Sequence, residues 1–382
     1  MFSLLADSNI YQLNRFIPDE VSLHTFNPDR GLPNTSEQAD ALLVRTVTKI
    51  NAESIGHLQN LRFVGTASAG FDHVDTEYLA ARNIRFANAP GCNARSVAEY
   101  IAVSLLLWAE ANGEKLKRKT VGIIGVGHVG SSVANILEAM GIDYKMYDPP
   151  REIRESGDSF QSASREEALA CDILSFHTPL TFTGKFATHH WLSEDILAQK
   201  EYELVINAAR GGVLDEAALV KAFQLGSVKD IILDVWENEP EFSQEVARHC
   251  FLKSPHIAGY SEQAKINATR QVCEALGNFL GMKNGAVDEL SKCNSNVIEL
   301  DKKSLPIDKN LSTILGYLHP LQEFDQKMEP VLPMDAGERR MAFSRLRTHT
   351  SLRNEFRHIA LPESVLQRYP MLSNLGFKHK SG

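Results

Sequence analysis

A chain of 382 residues is too long for one ordinary hydrophobic core, so two or three domains are expected. With 43% hydrophobic and 23% charged residues it has the composition of a globular protein in water, and its net charge of −8 argues against a general nucleic-acid binder. The charge is uneven: residues 301–382 hold 13 Lys and Arg against 9 Asp and Glu, a net +4 that leaves −12 on the first 300. Five cysteines (Cys92, Cys171, Cys250, Cys273 and Cys293) are scattered, odd in number and without a CxxC pair, which fits reduced thiols in a cytoplasmic protein and no metal site. No signal peptide is apparent, and the longest apolar stretch, around Ile101–Ala109, is too short to span a bilayer, so no membrane partner is expected.

In chain order, Phe2–Ala6 reads as a strand, followed by a helix near Ile10–Phe16 and apolar strands at Ala41–Val44, Arg62–Thr66 and Ile84–Ala87. Strands alternating with helical segments mean a parallel sheet with helices on its faces. A long helix over Ala94–Asn112 leads to a strand at Val121–Ile124. A helical pattern on Val133, Ile136, Leu137 and Met140 follows, then a strand at Tyr144–Tyr147. The rhythm continues with a helix at Arg165–Ala170 and strands at Asp172–Phe176 and Leu204–Asn207. Asp215 is the expected N-cap of a helix over Glu216–Leu225, and a strand at Asp230–Leu233 and a helix at Glu262–Phe279 complete the pattern. Past Leu290 the character changes. Val297–Leu300, Lys302–Pro306, Leu311–Leu318 and Arg345–Arg357 suggest a mixed α+β module.

The central motif is Gly125-Val-Gly127-His128-Val129-Gly130 between a strand and a helix, with Asp148 ending the next strand eighteen residues beyond Gly130. Gly125 permits the tight turn, Gly127 lets backbone approach a pyrophosphate, and Gly130 lets helix and strand pack closely. The helix N-terminus would hold the phosphates, and Asp148 would accept hydrogen bonds from the ribose and repel a 2′-phosphate, favouring NAD. Arg151 is the counter-signal; Pro149 and Pro150 are expected to carry it past the pocket. Every later cluster of unusual polar residues also falls at a strand's carboxyl end: His177-Thr178, Ala208-Ala209-Arg210-Gly211, Asp234-Val-Trp236-Glu237-Asn-Glu239-Pro240 and Pro255-His256-Ile-Ala-Gly259-Tyr260. Ligands of doubly wound sheets bind along that edge.

Gly125–Gly130, Ala209-Arg210-Gly211, Asp234–Pro240 and Pro255–Gly259 together resemble the D-isomer-specific 2-hydroxyacid dehydrogenases over residues 1–285 or so. Val44-Arg-Thr-Val-Thr-Lys49, Gly65–Asp75, Ala89–Ala94, His256–Tyr260 and the long C-terminal extension are similar to one branch of that family, which acts on 4-phospho-D-erythronate on the way to pyridoxal 5′-phosphate. The resemblance implies two doubly wound parallel-sheet domains, a Rossmann NAD domain and a flavodoxin-like substrate domain, with a C-terminal α+β dimerisation module. The implied boundaries are 1–94 for the first part of the substrate domain, 95–257 for the NAD domain, 258–285 for a return helix and 286–382 for the dimerisation domain of a homodimer. It also implies a catalytic trio. His256 would take the hydroxyl proton, Glu239 would support the imidazolium, and Arg210 would clamp the substrate carboxylate. Taken singly, His256 could be a loop residue, Arg210 a surface charge and Glu237 the relevant acid; Glu239 matches the family's Glu-Pro pair.

By the same resemblance Thr178, Ala209, Asp234 and Gly259 join Gly125–Gly130 and Asp148 around NAD, while Thr46, Ser68 and Tyr260 contact substrate. Arg45 and Lys49 are near the right loop for its phosphate, and the basic residues Arg339, Arg340, Arg345 and Arg347 could reach a partner subunit's site. Two alternatives stay open: a related dehydrogenase acting on 3-phosphoglycerate or glycerate, and an NAD-sensing binding protein on the same scaffold.

Overall fold

The computed structural model describes residues 2–33, 38–157, 159–282, 297–300, 305, 310–348 and 351–380. Within it the chain forms two compact units, residues 1–93 with 261–296 and residues 94–260 with 297–382. Cys293 and most of the segment 302–306 lie outside the described residues.

The first unit is a five-stranded parallel sheet in the order β2-β1-β3-β4-β5, where β1 is Phe2–Asp7, β2 Val21–Phe26, β3 Ala41–Val44, β4 Phe63–Thr66 and β5 Arg85–Ala87. This is the flavodoxin-like order. Both faces are buried, which is why β3 is apolar throughout and β4 is apolar up to its buried Thr66, rather than alternating. One face packs Leu4, Ala6, Leu43 and Phe63 against Ala268, Val272, Cys273 and Leu276 of the helix Glu262–Phe279. The other covers Leu5, Leu42, Val44 and Val64 with Ile55 and Leu79. Two expectations are corrected. The helix near Ile10–Phe16 is a single 3₁₀ turn, Leu13–Arg15, and β2 was not expected at all. As an edge strand β2 leaves His24 and Thr25 exposed, so it lacks the continuous apolar run of its neighbours.

The second unit carries a six-stranded parallel sheet in the order β11-β10-β9-β8-β6-β7, with β6 Thr120–Ile124, β7 Asp143–Tyr147, β8 Ile173–Phe176, β9 Tyr202–Asn207, β10 Val228–Leu233 and β11 Leu252–Lys253. Strand order reverses between β6 and β8. Beyond β7 a non-strand segment runs alongside, its Ala163 N–H donating to the Met146 carbonyl at 2.7 Å. The helices Ala94–Asn112 and His128–Met140 cover one face, and Leu192, Leu219, Trp236 and Phe242 are among the residues on the other.

The C-terminal residues add helices at Leu311–Leu318, Leu321–Met328 and Ala336–Thr348, and a small parallel sheet of β12 (Ile298–Glu299), β13 (Ile359–Leu361) and β14 (Lys378–His379). They are built into the same core: Ile314, Leu315, Leu321, Phe324 and Phe356 pack with the helix Ala94–Asn112. Lys253, 3% exposed at the end of β11, donates to Asp325 at 3.0 Å and Glu329 at 2.5 Å.

Register decides what this sheet can present. Ile124 pairs with Tyr147 and Phe176, Phe176 with Asn207, Asn207 with Leu233, and Leu233 with Lys253. Six strands therefore end level, and the residues that follow each (Gly125, Asp148, His177, Ala208, Asp234, Ser254) emerge along one edge.

Candidate active site

The glycine turn has the shape of a phosphate cradle. Gly125 has φ +89°, and a Cβ there would meet the His177 carbonyl carbon at 2.8 Å; one on Gly130 would meet the Gly125 oxygen at 2.1 Å. Gly127 has open space where a Cβ would be and caps the helix His128–Met140 without a side-chain bond. First-turn N–H groups with no side-chain cap suit an anion. His128 is exposed and Val129 half-buried. Beside Gly125 the Thr178 hydroxyl is buried with no hydrogen-bond partner among the described residues. A buried hydroxyl is seldom left unbonded, so the residues present fit a dinucleotide that supplies the missing bond.

Asp148 receives the Val126 N–H at 2.8 Å on one carboxylate oxygen and the Arg151 N–H at 2.9 Å on the other. Each oxygen keeps a lone pair for a ribose hydroxyl. Arg151, however, is not carried away by Pro149 and Pro150. Those prolines start the helix Pro149–Arg154, and the guanidinium folds back onto the glycine turn, donating to the Val126 carbonyl at 2.7 Å and Ser131 at 3.0 Å. Glu155 at 2.8 Å and the Phe160 ring, 4.3 Å below, complete its shell.

Further along the edge, His256 and Glu239 meet: Nδ1 lies 2.8 Å from Oε2, and the other Glu239 oxygen accepts the Trp236 N–H at 2.8 Å. Burial alone would push the Glu239 carboxyl up, but the facing imidazole, the Arg347 guanidinium and the Trp236 N–H hold it below the usual range. The other acid is occupied elsewhere. Glu237 pairs with His190 at 3.0 Å, and its N–H donates to Glu216, a carboxyl that burial first and the neighbouring Glu237 and Glu239 next push up to about 7. Neither His190 nor Glu216 was signalled by the sequence, because each depends on a fold contact with residue 237.

His256 itself sits at φ +58°, a left-handed conformation uncommon for a residue with a side chain. Asp234 holds it there. Its carbonyl accepts the His256 N–H at 2.7 Å, and its carboxylate takes the N–H groups of Ile257 at 2.7 Å and Ala258 at 3.0 Å and the Ser254 hydroxyl at 2.7 Å. With 1% exposure and these three donors, the Asp234 carboxylate fixes the histidine loop, while Oδ2, which takes only the Ala258 N–H, keeps a lone pair. Tyr100 extends the network, its hydroxyl 2.9 Å from Ser254.

Arg210 lies on the turn after β9. Asn207 shapes that turn by accepting the Ala209 N–H at 3.0 Å and donating to the Arg210 carbonyl at 2.9 Å. The turn abuts the acid loop, since a Cβ on Gly211 would fall 1.7 Å from the Trp236 carbonyl oxygen. After Gly259, Tyr260 is half-buried and accepts a hydrogen bond from Arg347. The basic residues of the helix Ala336–Thr348 thus meet their own chain rather than only a partner: Arg340 pairs with Glu241 at 3.2 Å and Arg339 lies over Phe242.

In the first unit, Arg45 donates through Nε to the fully buried Asp7 at 3.0 Å, so part of its charge is committed within the domain. Thr46 and Lys49 are exposed. Ser68 is turned onto its own loop, its hydroxyl donating to the Gly70 carbonyl and its N–H to the Thr66 carbonyl, each at 2.8 Å. Both Ser68 donors are therefore satisfied internally, and its hydroxyl also lies 2.8 Å from that of Thr66.

Comparison with known proteins gives consistent matches. A family model described as D-isomer specific 2-hydroxyacid dehydrogenase, NAD binding domain, matches residues 99–258. Erythronate-4-phosphate dehydrogenase of Psychromonas ingrahamii is 35% identical over 98% of this chain and 96% of its own length. The enzyme of that name from Yersinia pestis is 37% identical over 92% of both, and that from Proteus mirabilis 46% over 66% and 68%. Among solved structures, D-lactate dehydrogenase from Aquifex aeolicus, complexed with NAD and lactic acid, shares the fold with a TM-score of 0.59 at 24% identity, covering 76% of this chain and 98% of that one. An NAD-dependent formate dehydrogenase from Staphylococcus aureus does so at 0.56 and 22%, covering 73% and 96%.

Proposed function

This chain belongs to the D-isomer-specific 2-hydroxyacid dehydrogenases, and from that premise we propose that it does what its erythronate-4-phosphate dehydrogenase relatives are named for. It is an NAD-dependent oxidoreductase that converts 4-phospho-D-erythronate to (R)-3-hydroxy-2-oxo-4-phosphobutanoate, a step toward pyridoxal 5′-phosphate. The observation that carries the reading is the 2.8 Å Nδ1–Oε2 contact between His256 and Glu239, on the sheet edge that also bears the glycine turn.

Oxidising a secondary alcohol removes a proton from oxygen and a hydride from carbon. When bound, NAD supplies the acceptor for the hydride. Glu239 holds the Nδ1–H of His256, so the Nε2 lone pair is the one left to accept the hydroxyl proton. As His256 becomes imidazolium, the ionised Glu239 stabilises it across the existing hydrogen bond, without reorganisation. Arg210 clamps the substrate carboxylate and polarises the oxygen that becomes a carbonyl. Tyr260, Thr46, a Ser68 lone pair and the uncommitted nitrogens of Arg45 contribute to the rest of the substrate site. Around NAD, Gly125–Gly130 hold the pyrophosphate, Asp148 the ribose, and Thr178, Ala209, Asp234 and Gly259 the nicotinamide end.

The protein works in the cytoplasm as a homodimer joined through its C-terminal residues, whose Ile298, Tyr317 and Met341 are exposed apolar groups. Light scattering after gel filtration tests the dimer. Steady-state NADH formation with 4-phosphoerythronate beside 3-phosphoglycerate tests the activity: the four-carbon acid should have the higher kcat/KM, and preference for the three-carbon acid would replace this reading by its nearest rival.

A further inference from the structure

The helix Ala336–Thr348 lies on the loop that carries Glu239. Phe343 and Phe242, both fully buried, pack ring to ring at 5.2 Å, and Arg340 pairs with Glu241 at 3.2 Å. Arg340, Phe343 and Arg347 follow at spacings of three and four, so one helix face bears all three contacts. The last of them, Arg347, donates to the Tyr260 hydroxyl and lies within electrostatic reach of Glu239 and Asp234. Its Nε is buried and unbonded among the described residues.

We propose that Arg347 is a positioning residue of this active centre, fixing the Tyr260 hydroxyl and holding Glu239 as a carboxylate behind His256. The role rests on the dehydrogenase reading above and deepens it, because it makes the C-terminal segment part of the reaction centre of its own chain. A buried cation is retained at a cost in desolvation, and pairing with nearby anions is what offsets that cost. Here burial pushes the guanidinium's affinity for its proton down, and Tyr260, Glu239 and Asp234 together raise it above the ordinary value.

The charged and titratable groups around Glu239 are His256, Arg347, Asp234, Glu216 and Glu237, with Tyr260 beside Arg347 and the Arg340–Glu241 pair beyond Pro240. Removing the Arg347 charge would weaken the hold on the Glu239 carboxylate, so more alkaline conditions would be needed to keep it ionised.

The experiment is the pH profile of kcat/KM for Arg347→Gln and Arg347→Lys with 4-phosphoerythronate and NAD. In Arg347→Gln the acid limb should move up by about half to one pH unit, with KM raised several-fold through Tyr260 and kcat on the alkaline plateau nearly unchanged. Arg347→Lys should restore the limb but not the KM. An acid limb that stays in place while the rate falls equally at every pH would overturn the proposal. Should Arg347→Gln fail to fold, Tyr260→Phe removes the same hydrogen bond while keeping the guanidinium: KM should rise with the limb unmoved, and an unchanged KM would overturn it. Wild-type protein without turnover would reject the dehydrogenase reading; an active wild type with an unmoved limb rejects only the part assigned to Arg347.

Discussion

Gly211 and the Trp236 carbonyl oxygen are so close that a Cβ at position 211 would lie 1.7 Å from that oxygen. The turn that carries Arg210 and the loop that carries Glu239 therefore rest on each other through bare backbone. The proposed carboxylate clamp and the acid that backs His256 are thus held in register by a contact that only glycine permits.

Substituting Gly211→Ala should separate these loops, at a cost of about 1–3 kcal/mol in stability. A displacement of an ångström at a reacting centre lowers the rate by about 100-fold. kcat/KM for NADH formation should fall by about that factor while the fluorescence change on NAD binding persists.

The cofactor preference should rest on Asp148 and the cation beside it. Asp148 receives the N–H of Arg151, whose guanidinium is folded onto the glycine turn. Losing a charge-assisted hydrogen bond is worth about 1.5–3 kcal/mol. Asp148→Ser should therefore weaken NAD binding at least about tenfold and, with the repelling carboxylate gone and Arg151 still present, improve binding of NADP. Titration of both cofactors by fluorescence decides it, and an unchanged ratio of affinities would remove Asp148 from the ribose site.

Stability should fall in mild acid because two histidines are buried and neutral. Burial drives His177 down to about 3, and burial followed by the Arg353 charge holds His319 well below its ordinary value. A histidine whose folded pKa is depressed binds fewer protons than in the unfolded chain. Between the folded and unfolded pKa values, here from about 3 for His177 to about 6.5 unfolded, stability thus rises with pH; above that window the effect is flat. Each such histidine contributes a slope of about 1.4 kcal/mol per pH unit. Both His319 ring nitrogens lack hydrogen-bond partners among the described residues, and its ring packs 5.9 Å from Tyr100. His319→Phe should therefore be tolerated and flatten the loss between pH 6 and 4.5, as read from urea midpoints.

How much of this was legible in the sequence follows from what each feature depends on. Helices marked by their own periodicity were read to the residue: Ala94–Asn112, Glu216–Leu225 behind its N-cap Asp215, and Glu262–Phe279. The carboxyl-end placement of the polar clusters was legible too, because parallel strands announce themselves as short apolar runs. What failed depends on tertiary contact. β2, at a sheet edge, has an incomplete apolar pattern, and the turn at Leu13–Arg15 looked like a helix because its apolar residues recur at helical spacing. Nothing in Pro149-Pro150-Arg151 says that the guanidinium turns back to Val126, and nothing in the C-terminal residues says that Arg347 faces Tyr260. Asp234 was legible as a strand-end acid, but its three donors arrive from residues twenty or more positions later.

The most direct test is NADH formation by His256→Asn, measured beside the wild type with saturating NAD and 4-phosphoerythronate. Loss of a general base lowers turnover by about 10²–10⁴-fold. With His256 as the proposed base, turnover should fall by that factor with NAD affinity intact. Turnover within a few-fold of the wild type would contradict that role.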